Sequence, residues 1–188
     1  MIISFGIHGS DFKILIWLNS FYNLIHYIYH IIDLIGKATL HPILFYTGKI
    51  VGYFTWIIFF LSPFDIFFIT PGSSVLLKWI SYLTALIAFL LITWSIIDLG
   101  KSTRLGLPKE QTVLKTKGIY KLSRNPMYLG FDLLTLSSVF YFYDTIILVL
   151  GLYSILTYHF IILGEERFLT KRFGEEFLNF KKKTRRYL

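Results

Sequence analysis

Long apolar segments constrain the fold of this chain more than any other feature of its sequence. A helix needs about 20 mostly apolar residues to span a bilayer. We therefore expect an all-α integral membrane protein of about five transmembrane helices, forming a single membrane domain and closing with a helical hairpin. Hydropathy places the five segments at residues 12–35, 43–61, 75–97, 127–142 and 145–163 of the chain, 1–188.

Composition excludes an ordinary soluble domain. Of the 188 residues, 55% are hydrophobic and 16% are charged, whereas globular domains carry about 25% charged residues. The chain has no cysteine, which excludes a disulfide framework, a thiol nucleophile and a cysteine-ligated metal centre. Phosphate-cradling, dinucleotide-binding and HExxH motifs are absent from the sequence as well. We expect neither a metal nor nucleic acid as a partner.

Basic residues are concentrated in two short stretches. Seven of the 19 Lys and Arg residues lie between Lys101 and Arg124, and eight lie between Arg167 and Arg186. Because a hairpin of two helices separates the stretches, both reach the same side of the membrane, and the positive-inside rule makes that side cytoplasmic. We expect a cytoplasmic carboxyl terminus and, with five spans, an amino terminus outside.

The first apolar segment carries a polar stripe, formed by Asn19, Asn23, His26, His30 and Asp33. Their spacing puts them on one face of a helix. Such a helix either spans the membrane and faces protein, or lies in the interface, in which case the spans number four. His26 and His30 have the spacing of metal ligands, but without a third ligand we expect a structural role.

The polar tail, 164–188, places Leu169, Phe173, Phe177 and Phe180 on one helical face. This pattern predicts an amphipathic carboxyl-terminal helix at the membrane surface. The helix either packs over a cytoplasmic-side site or anchors the chain to anionic lipid, which contributes about 1 kcal/mol per Lys or Arg near the surface.

Ionisable residues in the last two apolar segments are candidates for function. An acid at membrane depth, such as Asp132, is a functional-site hypothesis with a partner to be named. Arg124 is the expected partner, and the two form either a catalytic pair or a structural ion pair. Glu165 and Glu166 stand where the helix dipole disfavours carboxylates, so a cation is expected beside them. His159 is expected to be a buried, hydrogen-bonded histidine.

Two stretches resemble a known family. The sequences LKTKGIYKLSRNPMYLG at 114–130 and EERFLTKRFGEEFLNFKKKTRRYL at 165–188 resemble isoprenylcysteine carboxyl methyltransferases and their relatives among phospholipid methyltransferases. The resemblance covers about 99–188, as in a short, prokaryotic-type member, and leaves 1–98 as variable amino-terminal spans. It implies a membrane enzyme that binds S-adenosylmethionine through a cytoplasmic loop before the hairpin and the segment after it.

The resemblance also implies site residues. Glu165 can accept a hydrogen bond from the ammonium of the cofactor, tyrosine rings can face its sulfonium or adenine, and Lys115 or Arg124 can take its carboxylate. Asp132 and Arg124 are the catalytic candidates. The cofactor-binding candidates are Thr112, Val113, Leu114, Lys115, Tyr120, Asn125, Pro126, Met127, Tyr128 and Glu165.

The chain departs from the family pattern at three positions. Asn125 and Thr112 replace histidines, and an amide cannot act as a base or carry charge. Ile161 stands where eukaryotic members place an arginine that serves the substrate. Other arginines could take over that role, namely Arg124, Arg167 or Arg186.

The expected reaction is methyl transfer to a lipid-like or isoprenylated small acceptor, with carboxyl O-methylation first and phospholipid N-methylation as the alternative. An amphiphilic acceptor can enter sideways from the bilayer. The short chain favours a prokaryotic plasma membrane. Two other classes stay open: a sterol-reductase-like enzyme that binds NADPH, and a small transporter lined by the polar stripe.

Overall fold

A computed structural model describes residues 22–23, 38–64, 71–100 and 113–188. Most of the first predicted segment, 12–35, lies outside the described residues, and so does its polar stripe as a whole. From residue 38 onward the described residues form five α-helices and no strand: α1 (Pro42–Leu61), α2 (Val75–Leu99), α3 (Pro126–Phe142), α4 (Thr145–Phe173) and α5 (Glu175–Lys183).

Three helical segments in this part of the chain are long and apolar enough to cross a membrane: Pro42–Phe64, Val75–Leu99 and Thr145–Phe173. The all-α membrane fold is therefore confirmed. α3 has 17 residues and rises about 26 Å at 1.5 Å per residue, somewhat less than the hydrocarbon core of about 30 Å. It forms the shorter arm of the predicted hairpin with α4.

The outer faces of the bundle are apolar. Trp79 is 68% exposed and Ile97 is 70% exposed, at opposite ends of α2. Soluble monomers rarely expose a continuous apolar surface of this kind, and lipid chains are its natural solvent.

Small residues let the helices approach closely. α1 runs antiparallel to α4, and a Cβ atom on Gly48 would lie 2.3 Å from the Thr157 side chain. α2 runs antiparallel to α3, where a Cβ atom on Gly130 would lie 2.6 Å from Ile92. These contacts place the start of α1, the end of α2, the start of α3 and the second half of α4 at one end of the bundle.

The hairpin turn lies at the other end. Tyr143 ends α3 with a φ of 48°, and the Asp144 carboxylate then caps α4 by accepting hydrogen bonds from the Ile146 and Ile147 amides at 2.8 and 3.0 Å. The segment before α2 packs on this turn, since the Gly72 amide donates to the Phe142 carbonyl at 2.9 Å.

The predicted amphipathic tail helix is present in two parts. α4 continues to Phe173 instead of ending near residue 163, and Gly174, with a φ of 51°, separates it from α5. Phe177 and Phe180 are buried against Ile119 and Tyr120. The tail therefore covers the segment that precedes α3.

Candidate active site

The entry into α3 is fixed by the carboxyl-terminal tail. Pro126 begins the helix, where its missing amide hydrogen costs nothing. Just before it, the Arg124 amide donates to the Arg185 carbonyl at 2.9 Å. The Ser123 hydroxyl and the side-chain Nδ2 of Asn125 both donate to the Arg186 carbonyl, at 3.1 and 3.3 Å. The tail and the helix entry thus form one hydrogen-bonded unit.

Glu166 is the centre of a buried ion cluster in this unit. Its carboxylate accepts from the Arg124 guanidinium at 2.8 Å and from the Arg186 guanidinium at 2.9 Å. The Glu166 side chain is 5% exposed and that of Arg124 is 8% exposed. Arg124 also donates to the Thr184 carbonyl. The expected salt bridge between the terminal glutamates and the basic stretches is therefore confirmed for Glu166.

The predicted pairing of Arg124 with Asp132 is wrong. The Arg124 guanidinium is directed to α4 and the tail, where Glu166 and two backbone carbonyls accept its hydrogen bonds. Asp132 keeps a buried Oδ1 atom that has no hydrogen-bond partner.

Glu165 faces a different environment from its neighbour. It accepts a hydrogen bond from the Tyr128 hydroxyl at 2.5 Å. The buried ammonium of Lys49 on α1 acts electrostatically on the same carboxylate and lies 4.0 Å from the centre of the Phe45 ring. A half-buried carboxylate thus accepts from a phenol and lies within electrostatic range of a cation.

Tyr120 lies beside this carboxylate, on the 3-10 turn Gly118–Lys121. The turn is tied to the end of α2, where the Asp98 carboxylate accepts from the Ile119 amide at 2.7 Å. Burial and, to a lesser degree, the carboxylates of Glu165 and Asp98 raise the pKa of the Tyr120 phenol well above its ordinary value. The hydroxyl therefore stays protonated at physiological pH and remains a hydrogen-bond donor.

Aromatic rings form the floor below Glu165. Trp56, Phe131 and Tyr158 pack against one another, with ring centres 5.2 Å apart for Trp56 and Phe131 and 5.7 Å apart for Phe131 and Tyr158. Tyr128 joins them at 5.8 Å from Tyr158. Met127 and the fully buried Ile161 belong to the same cluster. Ile161 thus provides apolar packing where the family pattern has a charge.

A second polar group lies between α3, α4 and the tail. His159 Nδ1 and the Tyr187 hydroxyl are 2.7 Å apart, and the two rings are stacked. Burial, followed by the nearby Asp132 carboxylate, raises the pKa of the Tyr187 phenol. The expected hydrogen bond of His159 is confirmed, with Tyr187 as its partner, but the imidazole is half-buried instead of buried.

The structure brings some of the predicted cofactor residues together and leaves others apart. Tyr120, Tyr128 and Glu165 converge, and Asn125, Pro126 and Met127 form the adjacent helix entry. Leu114 is half-buried against the Tyr120 cluster, whereas Val113 and Lys115 are exposed. Thr112 lies outside the described residues.

Sequence reasoning missed Lys49. Its position as a lone lysine inside an apolar segment could have identified it, since ionisable residues in such segments face the bundle interior and have a partner. The central role of Glu166 was not assigned either. No group of three or more His, Asp or Glu residues in the described ranges could hold a metal ion.

The fold and this polar end of the bundle define an integral membrane protein with an acidic, aromatic-lined cluster at one membrane face. A model of the phospholipid methyltransferase family matches residues 76–176, which is more than half of the chain and includes most of α2, α3, α4 and the start of α5. The chain belongs to the phospholipid methyltransferase family and is a membrane methyltransferase. No curated protein and no solved structure matches it.

Proposed function

We propose that this protein transfers the methyl group of S-adenosylmethionine to an amphiphilic acceptor, and that the methyl donor binds at Glu165. One observation carries the proposal: the Glu165 carboxylate, fixed by Tyr128 and flanked by Tyr120, lies within the segment that matches the methyltransferase family. Carboxylates at membrane depth are rare and mark functional sites.

The residues present fit the chemical groups of the cofactor. Glu165 would accept from the ammonium, and charge-assisted hydrogen bonds of this kind are the strong ones. The rings of Tyr120 and Tyr128 would face the sulfonium or the adenine, and the Asn125 amide can both donate and accept. Lys115 and Arg124 were the two residues predicted to bind the carboxylate of the cofactor. Because Arg124 is paired with Glu166, Lys115 is the one that would bind it.

The cofactor, when bound, supplies an activated methyl group. The protein must therefore position the acceptor and exclude water, which together can account for much of a rate enhancement. α5 excludes water on the outer side, since Phe177 and Phe180 cover Ile119 and Tyr120. The rings of Trp56, Phe131 and Tyr158 pack together below Glu165 and add an apolar lining that excludes water.

The acceptor is lipid-like or isoprenylated, and its hydrocarbon part enters from the bilayer. A carboxyl acceptor is what the resemblance to isoprenylcysteine carboxyl methyltransferases implies. The geometry favours the alternative, a phospholipid amine, because Arg124 and Arg186 are both paired with Glu166 and Ile161 is buried in an apolar cluster. With Glu165 assigned to the cofactor, the remaining acid, Asp132, suits a cationic head group better than an anionic one.

The site faces the side of the membrane on which the basic tail lies. We propose that this is the cytoplasmic side of a prokaryotic plasma membrane, because basic segments stay on that side and S-adenosylmethionine is made in the cytosol.

The test is transfer of a labelled methyl group from S-adenosylmethionine by the detergent-purified protein. Two acceptors are offered: phosphatidylethanolamine in mixed micelles, and a farnesylated N-acetylcysteine with a free carboxyl group. We expect transfer to phosphatidylethanolamine, lost in Glu165→Gln and kept in the exposed Glu176→Gln control. Transfer only to the carboxyl acceptor would restore the O-methylation assignment, and transfer to neither would contradict the lipid acceptor.

A further inference from the structure

Three buried polar atoms in the described residues have no hydrogen-bond partner: Asp132 Oδ1, Ser154 Oγ and the Tyr158 hydroxyl oxygen. An unpaired buried polar group costs about 1 to 3 kcal/mol, so each such group calls for an explanation. Ser154 and Tyr158 lie on α4 facing α1, since both are near the backbone of Gly52. Asp132 lies on α3 and is the only acid among the three.

The carboxylate of Asp132 faces residues that can carry a proton. On α4, Tyr158 is close enough for the two groups to interact electrostatically. In the tail, Tyr187 is similarly close, and its hydroxyl is 2.7 Å from His159 Nδ1. Arg186, which precedes Tyr187 in the tail, forms an ion pair with Glu166 at 2.9 Å. Asp132 therefore lies within electrostatic range of a phenol whose hydroxyl is hydrogen-bonded to an imidazole.

We infer that Asp132 binds the amine head group of the acceptor and takes its proton, and that Tyr187 and His159 carry the proton away. This inference rests on the proposed function, in its amine form. The acceptor would bind as an ammonium, which gives one proton to the Asp132 carboxylate and so frees the lone pair of its nitrogen. That lone pair would then form the bond to the methyl carbon while the carbon–sulfur bond breaks and its electron pair stays on sulfur. The product is a methylated ammonium, so the reaction releases one proton, the one that Asp132 has accepted.

The tail residue Tyr187 is a positioning residue in this scheme. It does not contact the reacting nitrogen; it holds a phenol, hydrogen-bonded to His159, near the carboxyl group that receives the proton. Because the tail is tied to the start of α3 through the Arg185 and Arg186 carbonyls, this arrangement exists only when the tail is in place.

The first experiment measures methyl transfer to phosphatidylethanolamine micelles by Asp132→Asn, Asp132→Glu and Tyr187→Phe. General acid–base catalysis is worth roughly 10² to 10⁴-fold, so we expect Asp132→Asn to lose at least about 100-fold in kcat with unchanged affinity for S-adenosylhomocysteine. Asp132→Glu should recover part of the rate. Tyr187→Phe should lower kcat, leave KM unchanged and alter the pH profile. Full activity of Asp132→Asn would overturn the inference.

A second readout does not depend on turnover. Infrared difference spectra should show a carboxyl band that changes when a short-chain phosphoethanolamine lipid is added, and this change should be absent in Asp132→Asn. The matched phosphocholine lipid, whose nitrogen has no proton to donate, should leave the band unchanged. Equal responses to both lipids, or an unchanged band with each, would contradict binding of the amine at Asp132.

The two proposals fail in different ways. If the wild-type protein binds S-adenosylhomocysteine and methylates only the carboxyl acceptor, the inference about Asp132 is overturned and the methyltransferase assignment stands. If the protein binds no S-adenosylhomocysteine at all, the proposed function fails and the role of Asp132 fails with it.

Discussion

Arg124 and Glu166 are 42 residues apart in the sequence, yet their side chains form a buried ion pair with 2.8 Å between Nη2 and Oε1. Arg186 binds the second carboxylate oxygen of Glu166 at 2.9 Å. One carboxylate therefore joins the entry of α3, the second half of α4 and the carboxyl-terminal tail. Its neighbour Glu165 is left to face the site.

Removing the charge of Glu166 should destabilise the protein strongly. Glu166→Gln leaves two arginines without their counter-charge, and breaking a buried ion pair costs about 3 to 5 kcal/mol. The free energy of unfolding, measured by denaturant titration in micelles, should fall by that amount. Glu176→Gln, an exposed change in α5, should stay within about 0.5 kcal/mol of wild type. Equal stability of the two variants would show that the cluster contributes nothing.

Tyr128 should control the affinity of the site through Glu165. Tyr128→Phe removes the hydrogen bond of 2.5 Å, and a hydrogen bond to a charged group is worth about 1.5 to 3 kcal/mol. We expect the Kd for S-adenosylhomocysteine to rise about tenfold or more. The control is Tyr141→Phe, at the far end of α3, where affinity should not change. A similar loss in both variants would point to a general packing effect.

Gly118 should be intolerant of a side chain for two reasons. Its φ is 61°, and a Cβ atom would lie 1.9 Å from the Asp98 carboxylate that holds the Ile119 amide. Gly100 has a similar φ of 54°, but a Cβ atom there meets no described atom within 4 Å. A positive φ strains any residue that has a side chain, so Gly100→Ala carries such strain without the clash at Asp98.

The difference between these two variants isolates the role of the turn. Gly118→Ala should destabilise more than Gly100→Ala and should also weaken binding of S-adenosylhomocysteine, because the turn carries Tyr120. Calorimetric titration and thermal unfolding of both variants provide the comparison. The assignment of Tyr120 to the site is wrong if Gly118→Ala binds as tightly as Gly100→Ala.

Gly151 should report on the packing of the hairpin. A Cβ atom there would lie 2.9 Å from Val139 Cγ2 and 3.2 Å from Thr135 Cγ2. Overpacking of this size costs about 1 to 3 kcal/mol. Gly151→Ala should lower the Tm, and adding Val139→Ala should restore most of it. If the double variant is less stable than both single variants, α3 and α4 do not pack through these residues.

Much of the fold could be predicted from hydropathy. α1, α2 and α3 begin and end within about two residues of the predicted segments, and the hairpin is confirmed. Hydropathy placed the end of α4 near residue 163 and the tail in a separate helix, whereas α4 continues without a break to Phe173. The contacts that fix this polar part of α4 come from other segments, since Glu166 is buried against two arginines and Leu169 packs on the Tyr120 cluster.

The site shows the same limit. The two stretches that resemble the family, 114–130 and 165–188, predicted that Tyr120, Tyr128 and Glu165 belong to one site, and these residues lie close together. Pairings between distant helices have no periodic signal, so the partner of Arg124 was predicted wrongly and the approach of Lys49 to Glu165 was missed. A lone lysine in an apolar helix indicates that a partner exists without indicating which acid it is.

The most direct test of the methyl-donor site is calorimetric titration of the detergent-purified protein with S-adenosylhomocysteine and, separately, with NADPH. We expect saturable binding of S-adenosylhomocysteine only, weakened about tenfold or more in Glu165→Gln, as expected for a lost charge-assisted hydrogen bond, and unchanged in Glu176→Gln. Binding of NADPH alone, or S-adenosylhomocysteine affinity that is the same in wild type and Glu165→Gln, would contradict the proposed methyl-donor site.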